Sequence, residues 1–400
     1  MWETPSISKL QEALLNSHTP IGMRMRAAYY LRQYYDMATK NDNNPSAVQQ
    51  QVIDLLAQGL AEKSHGSLLR HEFAYVMGQL RDKRCCPPLE HILASSTDCI
   101  MVRHEAAEAL GAIGSSTSKK VLRDTQQANV DTPELADTCL LALNFIEWKE
   151  QQQPQPQPQQ DQDEKTNESP QHDPHDAPPA CACMLNPYSS VDPAPPHPSH
   201  VSKTSQEIGD ILANPALPMF ERYRAMFSLR NRGGSEAVEQ LCMVLTQDTS
   251  SALLRHEVAY VLGQMQHPES IEALSESLRR PEEHEMVRHE SAEALGAMDG
   301  GKWMTHVEPI LQEFSNDSNI VVRESCMVAL DAADYWGHSN SNEHGEEEKD
   351  NTSTSDDDET TTNDNEGSFV QQKSLTNGPN TSTTTKSNNG ILINHFNVQV

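Results

Sequence analysis

LLRHEFAYVMGQL, residues 68–80, returns as LLRHEVAYVLGQ at residues 253–264, and the related MVRHEAAEALGAIG (101–114) returns as MVRHESAEALGAM (286–298). The spacing is as regular as the wording. His71 to His104 and His256 to His289 are each 33 residues, and a shift of 185 carries the first pair of histidines onto the second. A block has been duplicated, and inside each block a shorter unit recurs. Self-similarity on this scale marks stacked repeats, each too small to bury its apolar face alone.

The duplication reaches beyond these four segments. Arg26-Ala-Ala-Tyr-Tyr-Leu-Arg32 corresponds to Arg224-Ala-Met-Phe-Ser-Leu-Arg230 with a shift of 198, and Asp137-Thr-Cys-Leu-Leu-Ala-Leu143 to Glu324-Ser-Cys-Met-Val-Ala-Leu330. The 13 residues separating the shifts of 198 and 185 fall in the polar stretch TKNDNNPSAVQQQ, which reads as a longer loop in the first half. Each half thus holds four related units, of which only the middle two carry His-Glu. Each unit reads as two helices. In the stretch from Val102 to Gly111 the alanines and leucine are strong helix formers, and Gly111 suits a C-cap. CPPLEHILASS and SIEALSESLRR supply shorter partner helices, the former with proline at an opening turn. No strand-like alternation is present, so the expected class is all-α. The frame VRxxAAxALG resembles HEAT repeats, predicting an α-solenoid of two pseudo-symmetric halves that face each other.

Composition sets the limits of these halves. Hydrophobic residues are 36 % and aromatics 5 % of the 400, low for a chain folded throughout. The expected layout is an N-terminal half at 1–148, a disordered Pro/Gln-rich acidic linker at 149–204, a C-terminal half at 205–336 and a disordered acidic tail at 337–400. The net charge is −28, of which −6 lies in 149–200 and −8 in 337–400, leaving about −14 on the repeats. Such a surface disfavours nucleic acid and favours a cationic partner. No run approaches the roughly 18–20 apolar residues of a membrane span, and the N-terminus lacks the pattern of a signal peptide. The expectation is a monomer in the cytoplasm, with a nuclear pool compatible. The eight cysteines form no C-x-x-C pair. Cys139 and Cys326 read as buried small apolar residues, and the CAC at 181–183 is a weak candidate for reactivity or adventitious metal.

The recurring His-Glu pair needs a separate explanation. Neighbouring positions on a helix differ by about 100°, so both side chains can edge one concave site, and stacked helices about 8–10 Å apart let them meet a second pair. One half offers His71, Glu72, His104 and Glu105; the other offers His256, Glu257, His289 and Glu290. Four such ligands suit one metal ion and eight suit two. Two imidazoles and a carboxylate with open positions form the arrangement of non-haem iron that activates dioxygen. The absence of cysteine in the set argues against a closed zinc site. With the halves facing each other, two Fe2+ ions could share one O2 and form a peroxo-di-iron(III) species.

The scaffold accounts for most of the motif, including Arg70, Arg103, Arg255 and Arg288, expected to pair with acids in the next repeat. It does not account for histidine at one place in four of eight units. The four histidines rank first as ligands and catalytic residues, followed by Glu105 and Glu290. Glu72 and Glu257 either ligate or bind a cationic substrate. Glu108 and Glu293, one turn beyond His104 and His289, either accept from an imidazole N–H, contact a substrate amine, or form a solvated face. Tyr75 and Tyr260 read as core or site wall.

Four His-Glu pairs in two HEAT-repeat halves, with LLRHE…AYVLGQ and MVRHE…AEALGA in each, resemble the deoxyhypusine hydroxylase (deoxyhypusine monooxygenase) family over about residues 20–148 and 205–336. The resemblance implies a di-iron enzyme that uses O2 to hydroxylate the deoxyhypusine side chain of eukaryotic translation initiation factor 5A. It implies His71, His104 and Glu105 at one iron and His256, His289 and Glu290 at the other, with Glu72 and Glu257 matching acids assigned both to metal and to substrate. The linker, the tail and the CAC lie outside the family pattern. Two other readings stay open on the residues alone: a non-catalytic HEAT-repeat scaffold with a structural metal, and a lyase-like HEAT protein that attaches a chromophore.

Overall fold

Sixteen α-helices and no strand occur among the described residues of the computed structural model, which are 5–41, 45–152, 186–298 and 302–343. The first half contains α1 (Ile7–Leu15), α2 (Ile21–Asn41), α3 (Pro45–Ala61), α4 (Ser67–Gln79), α5 (Cys86–Ala94), α6 (Ile100–Ile113), α7 (Lys119–Ala128) and α8 (Pro133–Gln152). The second contains α9 (Ser205–Ala213), α10 (Met219–Arg232), α11 (Ser235–Gln247), α12 (Ala252–Met265), α13 (Ile271–Arg279), α14 (Glu285–Gly296), α15 (Glu308–Phe314) and α16 (Ile320–Glu343). None is long and apolar enough to cross a membrane.

The odd-numbered helices α1 to α13 form an outer layer, each packing on the even-numbered helix that follows, while α4, α6 and α8 stack in succession, as do α12 and α14. Both halves belong to one compact unit up to Asp334; the following unit, Tyr335–Asn389, is described only to Glu343, as the last turns of α16. The inner layers meet at both ends. There α8 packs on α10 and α12, and Arg26 of α2 pairs with Asp331 of α16. The expected all-α HEAT architecture is the one observed, and Cys139 and Cys326 are fully buried in it.

A repeated arginine fastens the layers. The Nε atoms of Arg24, Arg70, Arg103, Arg222 and Arg288 donate at 2.7–3.1 Å to the carbonyls of Leu14, Leu60, Leu93, Leu212 and Leu278, each ten residues earlier in the last turn of the outer helix. A helix end leaves these carbonyls without partners, and the arginine supplies one. The far side of the guanidinium reaches the next loop, pairing Arg70 with Asp98, Arg222 with Asp248, Arg255 with Glu283 and Arg288 with Asp317. Arg103 departs from the expected acid: in that loop it donates to the Asn129 amide oxygen, at 3.4 Å.

Two other expectations are corrected. Gly111 is not a C-cap. It lies inside α6, where an added Cβ would come within 3.0 Å of the Ala142 Cα, so it lets α6 approach α8; the left-handed cap is Gly114, with φ of 75°. The polar insertion TKNDNNPSAVQQQ is mostly not a loop. It lengthens α2 to 21 residues against 14 in α10, and α3 to 17 against 13 in α11. Its alanine, lysine and glutamines are adequate helix formers, so polarity alone misleads there.

The layout also differs at the linker. The CAC at 181–183 and the tail beyond 343 lie outside the described residues, but residues 186–204 are packed in place. Their first part runs as a strap across both halves. The Val191 N–H donates to Gln79 at the end of α4 at 2.9 Å, Gln264 of α12 donates to Ser190 at 3.0 Å, and Arg230 of α10 holds Asp192 through both oxygens at 2.8 and 2.5 Å. Arg230 also lies over the Tyr188 ring, and Ala194 is fully buried. A proline-rich composition prevents helix and strand but does not prevent docking when a buried guanidinium needs a carboxylate. Asp192→Ala leaves Arg230, 1 % exposed, without that charge. The expected cost is about 3 kcal/mol, read as a shifted midpoint in urea unfolding; an unchanged midpoint would show the strap to be dispensable.

Candidate metal centre

The helices that carry His-Glu are covered on almost every side. All residues of α4 from Leu68 to Gly78 are buried, and α6, α12 and α14 are buried almost throughout. One face of each meets the outer layer and its flanks meet its neighbours in the stack. The remaining polar side chains therefore project toward the opposing half. His71, His104, His256 and His289 are at most 4 % exposed, and Glu72, Glu105, Glu257 and Glu290 at most 3 %.

The four imidazoles converge. Within the halves, His71 and His104 have ring centroids 5.8 Å apart, and His256 and His289 are 5.5 Å apart. Between the halves, His71 is 5.4 Å from His289 and His104 is 5.3 Å from His256. Tyr75 and Tyr260, equivalent by the internal shift, touch across the same interface with hydroxyls 3.3 Å apart, and Gln264 donates to Tyr260 at 3.2 Å.

Carboxylates sit where donors to a shared cation belong. Glu105 Oε2 is 3.1 Å from His71 Nε2 and 3.7 Å from His104 Nε2; Glu290 Oε2 is 3.5 Å from His256 Nε2. Two donors about 2.1 Å from one ion and at right angles lie roughly 3 Å apart, so small adjustments would suffice. Three groups have donor atoms all within 4.8 Å of one another: His256, His289 and Glu290; His71, His104 and His256; and His104, Glu105 and Glu108. The first matches the expected second site. The other two join His71 and His104 to His256, and His104 and Glu105 to the half-buried Glu108, while Glu105 also lies within ion-pair distance of His71.

Other residues hold these groups from behind. Glu72 faces His71 Nδ1 at 3.2 Å and accepts from the Tyr29 hydroxyl at 2.5 Å. Thr138, whose hydroxyl donates to the Glu134 carbonyl, lies 3.2 Å from His104 Nδ1. Glu293 lies 3.6 Å from His289 Nδ1 and accepts from Ser325 at 2.9 Å. Glu293 is thus buried within ion-pair reach of His289 and is not part of a solvated face. Reading the sequence did not single out Tyr29, Thr138 or Ser325. Thr138 and Ser325 occupy matching places in the duplicated segments around Cys139 and Cys326, which is the signal that could have found them.

The electrostatics show what the cluster lacks. Burial alone would lower His71, but Glu105 and Glu72 overcome it and hold the imidazole well above its ordinary pKa. Burial and then the neighbouring imidazoles push His104 well below that value. Glu108 and Glu257 are driven well above the carboxylate range by burial and by surrounding carboxylates, Glu105 prominent for Glu108 and Glu108 itself for Glu257. The repeat arginines are committed to the loops, so the acids crowd one another in a medium that penalises each charge by several kcal/mol. Meanwhile the Nε2 atoms of His71, His104 and His289 are buried without a hydrogen-bond partner. Orphaned imidazole nitrogens beside excess carboxylate fit divalent cations: the ion takes the lone pairs and offsets the negative charge.

Comparison with known proteins bears on the fold and the family. The family profile described as HEAT repeats matches residues 53–143, 220–296 and 245–331. A deoxyhypusine hydroxylase of Mus musculus is 39 % identical over 333 residues, covering 82 % of this chain and 92 % of the relative. One of Saccharomyces cerevisiae is 38 % identical over 343 residues, covering 84 % and 93 %. The solved structure of human deoxyhypusine hydroxylase in complex with glycerol superimposes with a TM-score of 0.66 at 35 % identity, covering 82 % of this chain and 96 % of that one. With the repeats and a similarity that covers more than four fifths of the sequence in agreement, the chain belongs to the deoxyhypusine hydroxylase family.

Proposed function

We propose that this chain is an O2-dependent non-haem di-iron monooxygenase that hydroxylates the deoxyhypusine side chain of eukaryotic translation initiation factor 5A, forming hypusine in the cytoplasm. The observation that carries this reading is the meeting of four buried imidazoles from two duplicated halves, three of them with Nε2 atoms lacking hydrogen bonds. His71, His104 and Glu105 would hold one ion, and His256, His289 and Glu290 the other. When bound, a pair of ferrous ions supplies the reductive activation of dioxygen.

The protein's own part is binding and exclusion. The substrate side chain is long and polycationic, and the carboxylates beyond the ligand set, Glu257 and Glu108 foremost, match its amines. An amine held at a fixed carboxylate places one carbon of a flexible chain at the centre. The Tyr75–Tyr260 contact and the strap at 188–196 bridge the C-terminal parts of α4 and α12, a placement that would limit access of water. Glu72, Thr138 and Glu293 face imidazole Nδ1 atoms, which leaves Nε2 for a metal.

Metal analysis of the purified chain tests the reading. Two irons per chain are expected; one zinc per chain, or no metal after iron loading, would favour the non-catalytic scaffold.

A further inference from the structure

Tyr29 and Phe227 occupy the same place in the two halves, 198 residues apart, and differ by one hydroxyl. That hydroxyl donates to Glu72 Oε2 at 2.5 Å, while the other carboxylate oxygen faces His71 Nδ1 at 3.2 Å. The line continues through the imidazole to Nε2, which faces Glu105 at 3.1 Å. Tyr29 is buried and Glu72 is fully buried. Bulk water therefore cannot take over the phenol's part.

In the second half the matching phenol is missing from the sequence. Phe227 is buried in the matching place and has no hydroxyl to give. Tyr223, one turn earlier on α10, spends its hydroxyl on the Leu253 carbonyl at 3.4 Å. Near-identical frames, LLRHE in both, thus sit in unequal surroundings.

We propose that Tyr29 is a positioning residue for the first half alone, fixing Glu72 so that Glu72 orients His71 with its Nε2 toward the metal, and that the two metal sites of this chain are consequently unequal. The proposal rests on the metal-centre reading above. A carboxylate held by a strong donor has one orientation, and an imidazole bonded to it through Nδ1 has one ring angle and one tautomer. Removing the phenol takes a short hydrogen bond away from a buried carboxylate, and Glu72 then either rotates toward the metal or lets the His71 ring turn.

Cobalt(II) titration of the metal-free, full-length chain, followed by visible absorption, tests this without reference to turnover. His104→Ala and His289→Ala variants assign the two binding phases to their halves. Tyr29→Phe is expected to weaken the first-half phase about 10–100-fold, the usual cost of losing a partner that orients a ligand, and to leave the second-half phase unchanged. Thermal unfolding of metal-free Tyr29→Phe alongside the metal-free parent separates site loss from general destabilisation. Equal weakening of both phases, or of neither, while the parent binds two cobalt ions would overturn the role of Tyr29 and leave the metal centre standing. A parent chain that takes up no cobalt would overturn both.

Discussion

His289→Ala is expected to lose the second metal ion and to abolish hydroxylation, while the first half still binds one. The substitution removes a nitrogen that no neighbouring group can replace: His289 is fully buried, and its Nε2 has no hydrogen-bond partner among the described residues. Losing a residue that merely orients a ligand costs about 10–100-fold in metal affinity, so losing the ligand itself should exceed about a hundredfold. Activity should fall with it, because paired ions act as a unit and halves of a unit do not contribute additively. His104→Ala should give the mirror result in the first half. Iron content and product mass, measured on the same samples, check both. Full activity with one iron per chain would mean that the halves work separately.

Stripping the metal is the second large effect. Four imidazoles and at least four carboxylates share one buried volume, where burial and neighbouring carboxylates hold Glu257 and Glu108 well above the usual carboxylate range. A ligand that binds only the folded state stabilises it by about 4 kcal/mol at a thousandfold excess over its dissociation constant. Two such ions therefore account for several kcal/mol, and chelation should lower the melting temperature by on the order of 10 °C. Re-addition of iron(II) under anaerobic conditions should restore it. A melting temperature indifferent to both treatments would mean that the cluster tolerates its own charge without a cation.

Much of this centre was legible because duplication prints function twice. An isolated His71-Glu72 would be unremarkable; four copies at matched spacings could not be scaffold alone, and periodicity placed them on inner helices. What the sequence concealed depended on tertiary contact. Arg103 was expected to behave like Arg70, but the loop that reaches it offers Asn129 where the others offer an acid. Residues 186–196 looked like linker because composition reports helix and strand propensity, whereas their order comes from Arg230, Gln79 and Gln264 on distant helices. Tyr29 was hidden for a similar reason. It reads as one aromatic in an apolar helix, and only the fold brings its hydroxyl to Glu72, 43 residues away. The extended α2 and α3 were missed because their glutamines and lysine suggest a loop by polarity while permitting a helix by conformation.

In the proposed reaction, two metal ions held between the halves activate dioxygen for insertion into a cationic side chain. Its most direct test is a single-turnover reaction of the iron(II)-loaded chain with the deoxyhypusine-bearing protein under heavy-isotope dioxygen, followed by mass spectrometry of the product. The expected result is one hydroxyl carrying the heavy isotope per modified side chain, formed only when both irons are present. A hydroxyl with the isotope of the solvent, or the same product from metal-free protein, would contradict it.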